Sequence, residues 1–247
     1  MPPAVPTPSA ANAGTQPPAS VPLPRWWLIV LGITLLWDWG GADLAVMQAI
    51  GSPEGFALRH QWLLSRVLHD AVRQLSTVFF LLVWAWAVWP ARWPRGRTAL
   101  WRLPRRERLG VALLVTLSLL VVNLIKNASL TSCPWDLQAF GGPAAYVSHW
   151  TPGLRDGGSG RCFPGGHASS AFAFLALSLP WLSPPAGASR RAAPGWRWLG
   201  FFMLSGLVAG AVQTVRGAHY PSHTLWTLVI CAGVSLAGWR LGRRWIQ

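Results

Sequence analysis

Six long apolar segments follow one another along this sequence, and they restrict its fold more than any other feature. Each approaches the roughly 20 mostly apolar residues that a membrane-spanning helix requires. The charged fraction agrees, because only 11% of the 247 residues are charged, against about 25% in an ordinary soluble domain. We therefore predict an all-α, polytopic membrane helix bundle of about six transmembrane helices. The expected spans cover approximately residues 26–44, 72–89, 109–125, 168–183, 197–214 and 224–240.

The first expected span is the least regular of the six. Asp38 and Asp43 interrupt its apolar run. A carboxylate at membrane depth is costly unless it faces protein or water, so the outer end of this span is left open.

Residues 1–24 differ in composition from the rest of the chain. They contain eight Pro and no charged side chain, with too little apolar surface to offset the entropy of ordering. We expect a disordered Pro/Ala-rich cytoplasmic tail over 1–24, followed by one membrane domain over 25–247. The alternative is a cleavable signal peptide, but that would begin with a basic region.

The basic residues indicate the orientation of the bundle, since cytoplasmic loops collect Lys and Arg. With the amino terminus inside, 14 of the 21 basic residues fall on the cytoplasmic side, seven of them between Arg92 and Arg108. Both termini are then cytoplasmic, and all six His lie on or near the outer side. The basic loop is interpreted as a topology determinant that attracts anionic lipid. We do not expect a nucleic-acid partner, despite a net charge of +14.

Three outer segments carry side chains suited to phosphate chemistry. They are KNASLTSCPWDL at 126–137, RCFPGGHASS at 161–170 and RGAHYPSH at 216–223. In the second, Gly165 and Gly166 predict a tight turn before a helix, whose free N–H groups favour anions. His167, at the start of that helix, could protonate a leaving oxygen.

The other two segments supply a nucleophile and positive charge. His219 is expected to attack phosphorus as a neutral imidazole. Lys126, Arg161 and Arg216 would neutralise the equatorial oxygens of the transferred group. This scheme requires no metal and no cofactor.

These residues resemble the motifs of the type 2 phosphatidic acid phosphatase superfamily, which also contains vanadium-dependent haloperoxidases. The family pattern is Lys, six residues, Arg-Pro; then Pro-Ser-Gly-His; then Ser-Arg, five residues, His, three residues, Asp. The first outer loop and the phrase RGAHYPSHTLW look like a bacterial subgroup of these membrane phosphatases. The matching positions are Lys126 and Pro134 in the first part, Pro164, Gly166 and His167 in the second, and His219 in the third.

The resemblance implies a phosphatase of the bacterial inner membrane with its active site facing the periplasm. Its partners would be the membrane and a phosphorylated lipid, whose monoester or diphosphate is hydrolysed; the oligomeric state is left open. By resemblance, His219 forms a phosphohistidine, His167 protonates the leaving group and water completes the reaction. A lipid phosphotransferase and a non-catalytic lipid-phosphate binder or transporter are the alternatives.

Four departures from the family pattern bear on the expected site. They are Cys133 for Arg, Gly165 for Ser, Gln213 for Arg and His223 for Asp. Arg161 and Arg216 are hypothesised to restore the missing charge. In the family the final Asp orients the nucleophilic His, so His223 or Asp136 is expected to take that part here.

Two further features lie close to the motifs. An oxidising outer compartment would permit a disulfide between Cys133 and Cys162 that ties two site loops together; free thiols are the alternative. We expect no structural zinc site. The first outer loop, with His60 and His69, predicts an interfacial helical stretch that either contacts the lipid phosphate or is an ordinary surface helix.

Overall fold

The computed structural model describes residues 21–90 and 98–246, and these ranges are helical, with no β-strand. The expected all-α membrane bundle is confirmed. The principal helices are α1 (Leu23–Trp39), α2 (Ala42–Ile50), a π-helical segment (Leu63–Ala71) leading into α3 (Val72–Val88), α4 (Arg105–Ala128), α5 (Gly166–Phe172), α6 (Leu179–Leu182), α7 (Ala193–Val215) and α8 (Pro221–Ile246). Short 3₁₀ turns cover Ala99–Arg102, Pro134–Asp136, Gln138–Phe140 and Ala173–Ser178.

Four described helices are long and apolar enough to cross a membrane, and a bent pair makes a fifth candidate. The four are Leu63–Val88, Arg105–Ala128, Ala193–Val215 and Pro221–Gly242. Six spans and two cytoplasmic termini therefore remain predictions. A disordered tail was predicted over 1–24. Residues 1–20 of it lie outside the described part of the chain, and α1 begins at Leu23. The basic loop is also outside them between residues 91 and 97.

The first expected span is two helices instead of one. α1 and α2 meet at 68°, and Gly41 between them adopts a left-handed φ of 66° that favours glycine. Asp38 at the end of α1 accepts hydrogen bonds from His149 Nε2 and from the indoles of Trp150 and Trp226. The outer end of this span, which the sequence left open, is therefore a bend at which Asp38 finds its hydrogen-bond donors.

The fourth expected span is an interrupted helix at the centre of the bundle. It runs from α5 through the 3₁₀ turn Ala173–Ser178 into α6, and every side chain from Ala171 to Leu182 is buried. It packs against α4, α7 and α8. Enclosure by neighbouring helices allows irregular backbone at this depth, since none of it faces lipid.

Small residues on α7 allow this close packing. A Cβ placed on Gly206 would lie 2.2 Å from the ring of Phe172 in α5, and one on Gly210 would lie 2.2 Å from Thr224 in α8. Such close approach through small residues is typical of helix pairs in membranes. The position of α5, which carries His167, therefore depends on Gly206.

We predict that Gly206→Ala destabilises the bundle by about 1–3 kcal/mol, the usual range for overpacking, because the fully buried Phe172 has no room to move. Gly32→Ala is the matched control, since a Cβ there meets no heavy atom within 4 Å. Thermal unfolding of both purified variants would show a lower midpoint for Gly206→Ala only. Equal midpoints would contradict this account of α7.

Candidate active site

Three segments that are distant in sequence meet at one end of the bundle. They are the end of α4, the start of α5 and the loop between α7 and α8. The ring centroids of His167 and His219 lie 6.0 Å apart. A Cβ on Gly166 would lie 3.4 Å from Cδ of Lys126. The three principal motif residues therefore surround one region.

Lys126 is the only lysine in the chain. Its Nζ donates a hydrogen bond of 2.6 Å to the backbone carbonyl of Arg161, which joins α4 to the loop before α5. Lys126 also lines a cavity of about 240 Å³ with polar and apolar neighbours from α4 and α5. The polar neighbours are Asn123 and Ser169. The ammonium group thus lies at the edge of a space that an anion can enter.

The two glycines of the predicted turn have different surroundings. The N–H of Gly165 donates to the carbonyl of His223 at 3.1 Å, and its own carbonyl accepts from the Thr227 hydroxyl at 3.1 Å. Gly165 therefore fastens the turn to α8, and its amide is engaged in this structure. Gly166 begins α5. It lines the 240 Å³ cavity and also a second cavity of about 340 Å³.

Arg161 contributes mainly through its backbone. It has a left-handed φ of 57°, its N–H donates to the Ser129 carbonyl at 2.8 Å, and its side chain is exposed. Its carbonyl is the acceptor for Lys126. Phosphate binding by the Arg161 guanidinium therefore stays a prediction.

Arg216 is held more firmly. It is 9% exposed, and it donates from Nε to the Arg59 carbonyl and from Nη1 to Oε1 of Gln213, each at 3.2 Å. Burial lowers the pKa of Arg216 from its usual value, while Asp70 acts in the opposite direction. Gln213 occupies the position of a family Arg. Here its side-chain oxygen accepts a hydrogen bond from Arg216, about one helical turn later.

His219 is buried in the loop between α7 and α8, with 4% of its surface exposed. Its backbone N–H donates to the carbonyl of Gln213. Burial holds the pKa of His219 well below its usual value of 6.5, and the nearby His223 and Lys126 act in the same direction. The imidazole is therefore neutral at physiological pH, which is the form that a nitrogen nucleophile requires.

His223 lies in the first turn of α8 and is completely buried. Its ring centroid is 5.7 Å from that of His219. Neither of its ring nitrogens has a hydrogen-bond partner among the described residues. A catalytic part for His223 stays a prediction.

The π-helical segment and the start of α3 add two basic residues, His69 and Arg73, beside the motif residues. His69 lies 4.2 Å from His167, ring centroid to ring centroid. His69 and Arg73 line the cavity of about 340 Å³, together with His167, Ser170 and several apolar side chains. The spacing of four residues, which places both on one helix face, was the available sequence signal. Their closeness to His167 follows only from the packing of distant segments.

The structure contains the disulfide that the sequence left open. Cys133 and Cys162 are bonded to each other, 29 residues apart. Their sulfurs and a ring nitrogen of His219 lie within 4.8 Å of one another, a grouping that could hold a metal ion if the sulfurs were thiolates. The expectation of no zinc site did not consider this grouping, because only folding brings the three residues together. As a disulfide, the two sulfurs are neutral.

Residues 108–247 match the family model of the PAP2 superfamily. The chain belongs to the PAP2 superfamily. No curated protein and no solved structure matches the chain significantly. The match contains Lys126, His167 and His219 and thus covers the three motifs on which the resemblance was based. As a PAP2 member with several apolar helices, the chain is expected to have phosphatase-type activity on phosphate esters.

We predict that Lys126→Met weakens the binding of inorganic phosphate by about tenfold or more, since a charge-assisted hydrogen bond is typically worth about 1.5–3 kcal/mol. Arg66→Gln is a matched control, because Arg66 also carries positive charge but its side chain is 71% exposed. Competitive inhibition by phosphate would report both affinities. A similar affinity in both variants would place the anion elsewhere.

Proposed function

We propose that this PAP2 member is a membrane phosphatase that removes phosphate from a lipid. The observation that carries the proposal is the convergence of Lys126 and His167, which line two neighbouring cavities, with the buried His219, whose ring centroid lies 6.0 Å from that of His167. A PAP2 match and several apolar helices support the same class of enzyme.

The charge around His167 suits a phosphate group. Lys126, Arg73 and Arg216 lie within electrostatic range of this imidazole. Such an excess of positive charge is repulsive in the free protein and favourable once a phosphate dianion enters. The dianion would also favour the protonated form of His167, which is the form that can donate a proton.

The reaction would proceed in two displacements. His219 attacks phosphorus through Nε2, a P–N bond forms, and the bond from phosphorus to the lipid oxygen breaks while His167 protonates that oxygen. Water then attacks the phosphohistidine and loses a proton to His167. Phosphate leaves, and both imidazoles return to their starting state.

The 340 Å³ cavity favours a lipid over a soluble ester. Its polar wall includes His69, Arg73 and His167, whereas its remaining wall includes Leu68, Val72 and Ala209. A headgroup phosphate and the start of an apolar chain would each find a matching surface. Substrates with longer apolar chains are therefore expected to have higher kcat/KM.

We predict that His219→Ala and His167→Ala each lower phosphate release from phosphatidic acid by about a thousandfold or more, since each removes a reacting group. His60→Ala is the control, because His60 is an exposed imidazole of the first outer loop. Release of phosphate by purified protein in lipid nanodiscs would be measured. Undiminished activity in both variants would refute the site assignment.

The same variants separate the alternative functions. A phosphohistidine trapped on wild type but absent from His219→Ala would support the proposed nucleophile. Turnover that requires a second lipid would favour a phosphotransferase. Tight phosphate binding by wild type without turnover or trapping would favour a non-catalytic binder or transporter.

We further propose that the site faces the periplasm, as the distribution of Arg indicates. Two variants that each introduce one cysteine test this orientation, Glu54→Cys in the first outer loop and Ser189→Cys in the loop before α7. The side chains of Glu54 and Ser189 are both exposed. In intact cells a membrane-impermeant maleimide should label the first and spare the second, with labelling of the second only after lysis. The reverse pattern would invert the topology.

A further inference from the structure

The disulfide lies directly beside the proposed nucleophile. Sγ of Cys162 is 3.4 Å from Nδ1 of His219. Cys162 is 0% exposed and His219 is 4% exposed, so this contact is made inside the protein.

The chemistry of the two groups sets the direction of the contact. A half-cystine sulfur carries no hydrogen and can only accept a hydrogen bond, so a hydrogen bond between these two atoms has Nδ1 of His219 as its donor. A neutral imidazole has a single N–H, and its other nitrogen keeps a free lone pair. That other nitrogen is Nε2, the atom that the two-step reaction requires as the nucleophile.

The residues expected from the sequence to orient His219 make other contacts. The carboxylate of Asp136 accepts a hydrogen bond from the Ser159 hydroxyl at 3.0 Å. His223 approaches the His219 ring edge-on, with an angle of 60° between the ring planes, and its nitrogens have no partner among the described residues. Among the side chains described around His219, Cys162 is the one that contacts Nδ1, and the backbone carbonyl of Cys162 also accepts a hydrogen bond from this imidazole.

We propose that the Cys133–Cys162 disulfide is a positioning element for His219, holding the tautomer in which Nδ1 carries the hydrogen and Nε2 is free. This rests on the proposed function, in which His219 is the nucleophile. Cys133 stands where the family has Arg, and His223 where it has Asp. A neutral covalent link thus performs the orienting task that a carboxylate performs in the family.

Reduction should disturb the position of His219 without separating the loops. A dithiol such as dithiothreitol transfers two electrons and two protons to the S–S bond, gives two thiols and becomes a cyclic disulfide. A thiol can donate as well as accept, so it no longer selects one tautomer. The two loops stay joined by hydrogen bonds from Cys162 N to the Thr131 carbonyl at 3.0 Å and from Arg161 N to the Ser129 carbonyl at 2.8 Å.

The first test is kinetic and uses the full chain with Cys231→Ala. That substitution removes the one remaining, buried cysteine, so dithiothreitol can act only on the disulfide. For phosphatidic acid we expect kcat to fall by about tenfold or more on reduction, with KM changed less than twofold, and to recover on reoxidation. Cys133→Ala/Cys162→Ala should show the low kcat permanently. An unchanged kcat in both forms would overturn the proposal.

The second test does not depend on activity. Side-chain ¹⁵N shifts of His219, assigned by comparison with His219→Gln, should show one Nδ1–H tautomer in oxidised protein and a mixture after reduction. Circular dichroism would fix a temperature at which both forms are folded. An unchanged tautomer would overturn the positioning role even if kcat fell. If the oxidised protein released no phosphate, the proposed function would be wrong. The ¹⁵N shifts of His219 would still show whether the disulfide selects its tautomer.

Discussion

A buried carboxylate has to find its hydrogen-bond donors within the protein, because an unpaired charge away from water is costly. Asp43 meets this requirement by accepting from the backbone N–H and the hydroxyl of Ser222 and from the indole of Trp37. Asp38 meets it through Trp226 and two residues of the long loop between α4 and α5, His149 and Trp150. These contacts fasten the bent α1–α2 pair to the first turns of α8. Since α8 begins two residues after His219, the position of the candidate nucleophile depends on how these two carboxylates are satisfied.

The candidate site, in contrast, has more positive than negative charge. Cations and imidazoles collect around His167, and Asp70 is a carboxylate close enough to offset part of their charge. Burial keeps His219 neutral, which limits the repulsion in the free protein. A phosphate dianion supplies the charge that this arrangement lacks. The electrostatics of the described residues therefore agree with the phosphatase-type activity of the PAP2 superfamily.

The departures from the family motifs are related to one another in space. Gln213 replaces a family Arg and accepts a hydrogen bond from Arg216 one turn later. Cys133 replaces another and forms a disulfide that reaches the ring of His219. Gly165 replaces Ser, and its amide is bonded to the backbone of α8. At Cys133 a covalent bond, and at Gly165 a backbone hydrogen bond, occupies a place where the family uses a polar side chain.

The sequence by itself determined the fold class and the family of this protein. Apolar run length predicted helices in a membrane, because lipid requires about 20 apolar residues per span, and motif spacing predicted Lys126, His167 and His219. It could not determine the bend at Gly41 or the interrupted helix after Phe172, since both depend on neighbours distant in the chain. Nor could it place His69 beside His167, or Cys162 against Nδ1 of His219. Only the tertiary structure decided those contacts, because spacing rules apply along one helix and carry no information on which helices pack together.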